Sequence, residues 1–326
     1  MPPARQLRIL GLLAAGILAY ASLALTSMRT TSAVYDETAH LPAGYTYLTL
    51  RDFRMNPEHP PLAKELAALP LLLMDVRMPN ASSPWALGDQ WEFGHRFFYE
   101  WNDGDRVLFW GRLPMVALGC VLGAAVLLWT QRHFGLLAGT IAFFLCLLSP
   151  DVLAHGQIVT TDLAVALFVF LSVIAFQAVT HRITATRVLL AGLATGAAFA
   201  SKFSALVLLP TLSILAVVVA LAREPMTLTP FAAAPRKLGG ALPRLAALAL
   251  ALLAIGAIAL AFVWATYAFQ PRLANDPELA AAFSWARLEH SGAASGVLRT
   301  VRAAGLLPEV TSRRTAGGTT FRPRSC

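Results

Sequence analysis

FWGRLPMVALGCVLGAAVLLWT, residues 109–130, holds a single charged side chain, Arg112, and is long enough to cross a membrane. The chain is 57% apolar and only 13% charged, which is about half the charged fraction of a soluble domain. Similar apolar stretches occur at residues 9–27, 135–149, 159–179, 188–200, 203–222 and 245–268. The sequence therefore predicts an all-α, polytopic membrane protein with about seven transmembrane helices.

Two of these stretches, 135–149 and 188–200, are shorter than the roughly 20 residues that a span usually needs. The connections on the side of the N-terminus are rich in basic residues, which places that side in the cytoplasm. These residues are Arg5, Arg8, Arg132, Arg182, Arg187, Arg223, Arg236, Lys237 and Arg244. The first stretch is then an uncleaved signal anchor rather than a cleaved signal peptide.

The long polar segment 30–108 becomes the first external loop. It contains eleven of the eighteen acidic residues and six basic ones, so the net charge of +8 follows the membrane topology. Such a distribution is not the clustered basic patch that reads phosphates, and it excludes nucleic acid as a partner. Cys120 and Cys146 fall inside predicted spans, so no disulfide framework is implied.

Ionisable side chains are concentrated in this loop, in Asp36-Glu37-Thr38-Ala39-His40 and in Asn56-Pro57-Glu58-His59-Pro60-Pro61-Leu62-Ala63-Lys64. They lie beside a membrane surface, where a lipid-borne substrate would present its head group. Residues 62–74 predict an interfacial helix, because most of them are apolar. The aromatic residues between 85 and 101 indicate anchoring at the interface, with sugar stacking as the alternative.

A second external loop, residues 149–162, contains His155, Asp151 and Asp162. Asp162 directly precedes an apolar run. With Thr161 it suits the cap of a helix, and it is alternatively an active-site carboxylate; the two roles are compatible. Lys202 is predicted at the next external turn. Its side chain either snorkels to the surface or binds a lipid phosphate. Gly192 and Gly196 have the spacing of closely packed membrane helices.

Several short motifs stand in the order and on the membrane side that one enzyme family shows. They are Asp36-Glu37 with His40, Gly44-Tyr45, Asp52-Phe53-Arg54, Asn56 to Leu62 with Lys64, Leu148-Ser149-Pro150, Ala154-His155-Gly156, Thr160-Thr161-Asp162 and Ser201-Lys202-Phe203-Ser204. On these motifs residues 1 to about 309 resemble bacterial phospholipid-carrier-dependent glycosyltransferases of glycosyltransferase family 39. That family is similar to protein O-mannosyltransferases and to the aminoarabinose transferases acting on lipid A.

The resemblance implies a C-type glycosyltransferase module, residues 1–268, in a bacterial inner membrane with its active site on the external face. The donor would be a sugar on polyprenyl phosphate, and the acceptor a hydroxyl of a protein, lipid or glycan. By analogy Asp36 is the base, while Glu37 and Asp162 orient hydroxyl groups. Positive charge must stabilise the departing phosphate, and Lys202 with His59 or Arg54 would supply it. A single displacement predicts inversion at the anomeric carbon.

The chain departs from the family immediately before Pro60-Pro61, where relatives have a lysine and this sequence has His59, with Lys64 further on. A neutral histidine holds an anion poorly, so the phosphate ligand stays open. His40, Glu58, Lys64 and His155 complete the predicted substrate-binding set. A divalent metal bound by the histidines with Glu58 and Asp162 is an alternative, although their spacing matches no compact ligand motif.

The C-terminal part changes character. Residues 269–309 predict a further external segment, and residues 310–326, VTSRRTAGGTTFRPRSC, have neither apolar periodicity nor a family counterpart. We expect a frameshifted or truncated product, with a disordered basic tail as the alternative. Two other functions stay open: a non-catalytic membrane protein left by truncation, and a transporter of lipid-linked sugars. The spans offer few internal charges for the latter.

Overall fold

The computed structural model describes residues 3–79, 82–222, 226–229 and 235–270. The predicted external segment 269–309, apart from its first two residues, and the tail 310–326 lie outside these described residues. In chain order the helices are α1 (Pro3–Met28), α2 (Tyr35–Leu50), α3 (Leu62–Ala68), α4 (Ser83–Leu87), α5 (Gln90–Arg96), α6 (Gly104–Phe134), α7 (Leu136–Leu147), α8 (Pro150–His155), α9 (Asp162–His181), α10 (Ala185–Ser201), α11 (Leu208–Leu221) and α12 (Ala241–Thr266).

The described chain is mostly helical, and five of its helices are long and apolar enough to cross a membrane. They are α1, α6, α9, α12 and α11 together with the 3₁₀ turn Phe203–Val207 that precedes it. These helices indicate a multi-pass membrane protein. Of the seven predicted spans, the other two are apolar helices of 12 and 17 residues, α7 and α10. Both are shorter than a usual span, so for them the assignment stays a prediction.

The N-terminal boundary of the second predicted span differs from the prediction, because that span is part of the longer helix α6. This helix begins at Gly104, because the carboxylate of Asp103 accepts the backbone N–H of Arg106 at 3.1 Å and caps the first turn. The polar segment therefore ends at residue 103 and not at residue 108.

Small residues allow α10 to pack closely on α12, as the glycine spacing predicted. A Cβ atom on Gly192 would lie 2.6 Å from Cβ of Ile258, and one on Gly196 would lie 3.0 Å from Cα of Ala259. Both contacts are closer than packed carbon atoms allow. The two glycines thus serve packing within one chain.

The polar segment after α1 folds into short helices. The predicted interfacial helix is α3 followed by the 3₁₀ turn Leu69–Leu73, whose residue Leu73 is 93% exposed. Helix α2 crosses α3 at Gly44, where a Cβ atom would lie 2.0 Å from the carbonyl oxygen of Lys64. This close approach brings the Asp36 motif, on α2, against the helix that follows Pro60-Pro61.

The prediction that the aromatic run anchors at the interface is wrong for its central members. Phe93, Phe97 and Phe98 are at most 2% exposed and form the core of the polar segment. Large aromatic side chains dominate the burial of so small a unit.

A small sheet joins two connections, α9–α10 and α11–α12, at the end of the helices opposite the polar segment. Strand β1 (Arg182–Ile183) pairs in parallel with β2 (Met226–Leu228), which pairs in antiparallel with β3 (Arg236–Leu238). The sequence analysis did not predict these strands, which carry three of the basic residues used to assign the cytoplasmic side.

Candidate functional site

The site lies where α1 ends and α2, α6 and α9 begin, which we call the site end of the bundle. Its centre is an ion pair between Glu37 on α2 and Arg112 on α6. Arg112 Nη2 donates to Glu37 Oε2 at 2.6 Å and Nε donates to Oε1 at 2.8 Å. Both side chains are completely buried. Such a two-bond fork is the strongest geometry that a carboxylate and a guanidinium can adopt.

The rest of each side chain is also bonded. Arg112 Nη1 donates to the carbonyl oxygens of Met28 and Thr31, at 2.9 and 2.8 Å, and Nη2 donates to that of Ser32 at 3.0 Å. Glu37 accepts the backbone N–H groups of Val34 at 3.0 Å and of Val159 at 2.8 Å. The pair therefore ties the end of α1, the start of α2 and the chain before α9 together.

This geometry corrects the predicted role of Glu37. A carboxylate with no exposed surface, whose two oxygens accept four N–H groups, has no place for a substrate hydroxyl. The sequence analysis also missed Arg112 as a site residue. The signal was present, because a lone charge inside an apolar span is costly and requires a partner.

His40 lies one helical turn after Asp36 and, like Glu37, bonds the backbone of Val159. Its Nδ1 lies 3.1 Å from the carbonyl oxygen of Val159 and must donate, since a carbonyl only accepts. Burial, with the charge of Lys64, lowers the pKa of His40 to about 3. The ring is therefore neutral at physiological pH, and it meets the ring of His59 edge-on with centroids 5.8 Å apart.

Lys64 lies beneath the turn Asn56–His59. Its Nζ donates to the carbonyl oxygens of Asn56 and His59, both at 2.7 Å, and lies 3.0 Å from Asn56 Oδ1 and from the hydroxyl of Tyr47. The side chain is fully buried, and this burial lowers the pKa of Lys64 to about 7. The prediction that Lys64 touches substrate is corrected, because its ammonium has no exposed surface.

Arg54 is also fully engaged. It forms two bonds with Asp52, at 3.0 and 2.8 Å, donates to the carbonyl of Trp85 at 3.3 Å and covers the Trp85 ring at 4.5 Å. Only 6% of Arg54 is exposed. It holds the polar segment together and is not placed to bind a phosphate, which corrects its predicted role.

A second ion pair, Asp162 with Lys202, differs from the first. Lys202 Nζ donates to Asp162 Oδ1 at 2.6 Å, joining the first residue of α9 to the residue that follows α10. The side chains are 44% and 26% exposed. Thr161 and not Asp162 is the N-cap of α9, and its side chain makes no capping bond. The helix thus begins where Thr161 and Asp162 predicted it, but Asp162 is its first residue and not its cap, and the partner of Asp162 is the lysine predicted to bind phosphate.

Several buried polar atoms of His59 and of the chain before α9 have no hydrogen-bond partner within the described residues. They include His59 Nδ1, His155 Nδ1, Gln157 Oε1 and Thr160 Oγ1. Three belong to the chain before α9, and the fourth belongs to the ring that contacts His40. Each such atom costs about 1–3 kcal/mol, so a group of them indicates a polar ligand or ordered water. Burial, together with the charges of Lys64 and Lys202, lowers the pKa of His59.

The two remaining predicted residues are open to solvent. Asp36 is exposed on the first turn of α2, and its carboxylate has no hydrogen-bond or ion-pair partner among the described residues. Glu58 is exposed, and its Oε1 accepts the side-chain N–H of Gln90 at 3.1 Å. Of the predicted acids, Asp36 is the exposed one for which neither carboxylate oxygen has a partner within the described residues.

The structure offers little for a metal. Nowhere in the described ranges do three His, Cys, Asp or Glu side chains converge as ligands. The metal alternative therefore has no ligand set in this part of the chain.

No protein-family model matches the chain, and no curated protein or solved structure matches it significantly. The resemblance to family 39 therefore stays a prediction, and the geometry of the site has to support any function on its own.

Proposed function

We propose that this chain is a membrane glycosyltransferase that moves a sugar from a polyprenyl-phosphate carrier to an acceptor hydroxyl with inversion. One observation carries the proposal: an unpaired carboxylate, Asp36, lies at the same end of the bundle as the half-open pair Asp162–Lys202. The link between them is short, because Asp36 and His40 share a face of α2 and His40 bonds Val159, three residues before Asp162.

The chemistry needs a base and a cation. Asp36 would take the proton of the acceptor hydroxyl as its oxygen forms a bond to the anomeric carbon. The bond from that carbon to the phosphate oxygen breaks, and the carrier leaves as its phosphate. Lys202 would stabilise the departing negative charge, while Asp162 orients the lysine and a sugar hydroxyl.

Polar groups without hydrogen-bond partners in the described part of the chain would complete the donor site. His59, His155 and Thr160 have buried polar atoms without partners, which a phosphate oxygen or a sugar hydroxyl would satisfy. In this proposal Glu37 and Arg54 do not contact the substrate, and their role is structural.

The surroundings fit a lipid-borne donor in a bilayer. An apolar surface groove on α7, lined by Ile141, Phe144, Leu145 and Leu148, ends at Ser149 and Pro150, where the loop with His155 begins. Exposed leucines of the turn after α3 face outward at the same end. The active site would then open to the external side of a bacterial inner membrane, and the acceptor would be a protein, lipid or glycan.

The test is sugar transfer from a panel of polyprenyl-phosphate sugars by the full chain in membranes. Asp36→Asn should lower the rate by about a hundredfold or more, which is the usual contribution of a general base. Asp105→Asn, which changes another exposed acid at the site end, is the matched control and should transfer normally. If Asp36→Asn still transfers sugar at the wild-type rate, Asp36 is not the base and the proposed mechanism is wrong. A wild-type chain that transfers nothing from any donor supports a non-catalytic membrane protein.

A further inference from the structure

Lys64 and Lys202 lie at the same end of the bundle, but only Lys202 has exposed surface. Lys64 is 0% exposed, and no carboxylate of the described residues pairs with it. A buried ammonium without a counter-ion is expensive unless its protons are all bonded. Here three N–H groups face four oxygen atoms, three of them in the turn Asn56–His59.

The turn is an unusual piece of backbone. Asn56 has a φ of 49°, in the left-handed region that a side chain other than glycine seldom adopts. His59 precedes Pro60, which restricts its own backbone. A turn of this kind persists only when its surroundings hold it.

The turn is held from two sides. From below, Lys64 bonds both ends of the turn, because its Nζ donates to the carbonyl oxygens of Asn56 and His59. From above, Asn56 Nδ2 donates to Gln90 Oε1 at 2.9 Å, and Gln90 Nε2 donates to Glu58 at 3.1 Å. The side chain that this frame presents is His59, whose buried Nδ1 has no partner among the described residues.

We infer that Lys64, assisted by Gln90, is a positioning residue that holds the Asn56–His59 turn and so fixes the His59 ring in the donor site, without touching the donor itself. That His59 lies in a donor site rests on the proposed function. That Lys64 holds the turn does not depend on the proposed function, and the two statements are tested separately.

The first test reports on the turn alone. The full chain, with Cys120, Cys146 and Cys326 replaced by serine and with His59→Cys as the reporter, is reconstituted in nanodiscs and labelled with a water-soluble maleimide. Lys64→Met, which keeps an unbranched side chain of similar length, should speed labelling by about tenfold, because it removes charge-assisted bonds that close the turn. Loss of the nearby positive charge would by itself raise the pKa of the thiol and slow labelling, so the expected sign is distinctive.

The controls are matched in chemistry. Lys237→Met removes an exposed lysine of β3, and it should leave the labelling rate unchanged. Gln90→Ala loosens the turn from above and spares the buried lysine, so it gives a second reading if Lys64→Met fails to fold. Unchanged labelling in either variant overturns the inference.

The second test is a double-mutant cycle on the binding of undecaprenyl phosphate, measured with the full chain in nanodiscs. Lys64→Met should weaken binding about tenfold when His59 is present and have no further effect in His59→Ala, since coupled residues are not additive. Additive losses would mean that Lys64 contacts the carrier or acts elsewhere, and they overturn the inference. A wild-type chain that does not bind the carrier refutes the proposed donor, while labelling still decides whether Lys64 holds the turn.

Discussion

Two ion pairs at one end of this bundle have the same chemistry and different surroundings. Glu37 and Arg112 have no exposed surface, and together they make seven bonds to each other and to the backbone. Asp162 and Lys202 make a single bond of 2.6 Å and keep 44% and 26% of their side chains exposed. Composition alone would treat these pairs as equivalent.

The difference separates a pair that can only be structural from a pair that stays accessible to a ligand. A pair with no unused donor or acceptor can only hold chain segments together, and removing one partner leaves an unpaired charge in the core. A half-exposed pair contributes little to stability, yet it offers both a cation and a carboxylate to a ligand. Substitutions at Arg112, His40 and Lys202 test this difference.

Arg112→Met should destabilise the fold by about 3–5 kcal/mol, because it buries the Glu37 carboxylate without its partner. Thermal unfolding of the full chain in detergent measures this loss, and poor recovery of folded protein is the expected sign of it. Arg106→Met, on the same helix but exposed, should unfold like the wild type.

The double variant Glu37→Gln with Arg112→Met sharpens this test. It removes both charges, so it should be more stable than Arg112→Met alone. If instead Arg112→Met unfolds normally, the buried pair is no more structural than the exposed one, and the comparison fails.

His40 shows how far the buried pair extends, because it holds the carbonyl of the residue whose N–H bonds Glu37. The pKa of His40 is lowered to about 3 in the fold, against 6.5 for an ordinary histidine. The unfolded chain therefore binds an extra proton between these values, and stability is lost as the pH falls through 6.5 toward 3. The loss from His40 at pH 5 is about 2 kcal/mol.

The measurement is the pH dependence of unfolding in the wild type and in His40→Asn, whose amide nitrogen takes the place of Nδ1. The variant should lack this loss, while His95→Asn, at an exposed histidine, should retain it. Burial raises the pKa of Glu65 to about 7, so Glu65 favours the fold at low pH and opposes His40. All three chains keep Glu65, so their differences report on histidine. Parallel curves for all three would disprove the claim.

Lys202→Met should change the free energy of unfolding by less than about 1 kcal/mol, because its pair is partly exposed and screened by salt. The same variant should weaken binding of undecaprenyl phosphate by about tenfold, the usual value of one charge-assisted contact. Unfolding and binding are measured on one preparation in nanodiscs. A loss of stability as large as that of Arg112→Met, or unchanged binding, would erase the distinction between the pairs.

Much of the fold could be predicted from the pattern of apolar and small residues. Apolar runs predicted the five long helices, because a membrane helix must satisfy its own backbone and cover itself with apolar side chains. The spacing of Gly192 and Gly196 predicted close packing for a local reason, the absence of a Cβ atom at two successive turns. Boundaries were less accurate, as at α6, since the bond between Asp103 and Arg106 is invisible to hydropathy.

The site was predicted less completely. Asp36, Asp162 and Lys202 were grouped correctly at one end, because alternating helices bring every second connection to the same side. Arg54, Lys64 and Glu37 were assigned to substrate, since each is an ionisable side chain in a polar segment. Their burial depends on partners elsewhere in the chain, such as Trp85 for Arg54 and Tyr47 for Lys64.

The membrane class of the molecule, its long helices and the end at which its charges gather follow from the amino-acid sequence, because hydrophobicity and helix length are local properties. Which charges pair and which stay accessible depends on contacts between distant segments. Glu37 finds Arg112 across 75 residues and Asp162 finds Lys202 across 40. No local sequence pattern encodes the burial at those contacts. Burial makes the Glu37–Arg112 pair structural, whereas the Asp162–Lys202 pair stays accessible to a ligand.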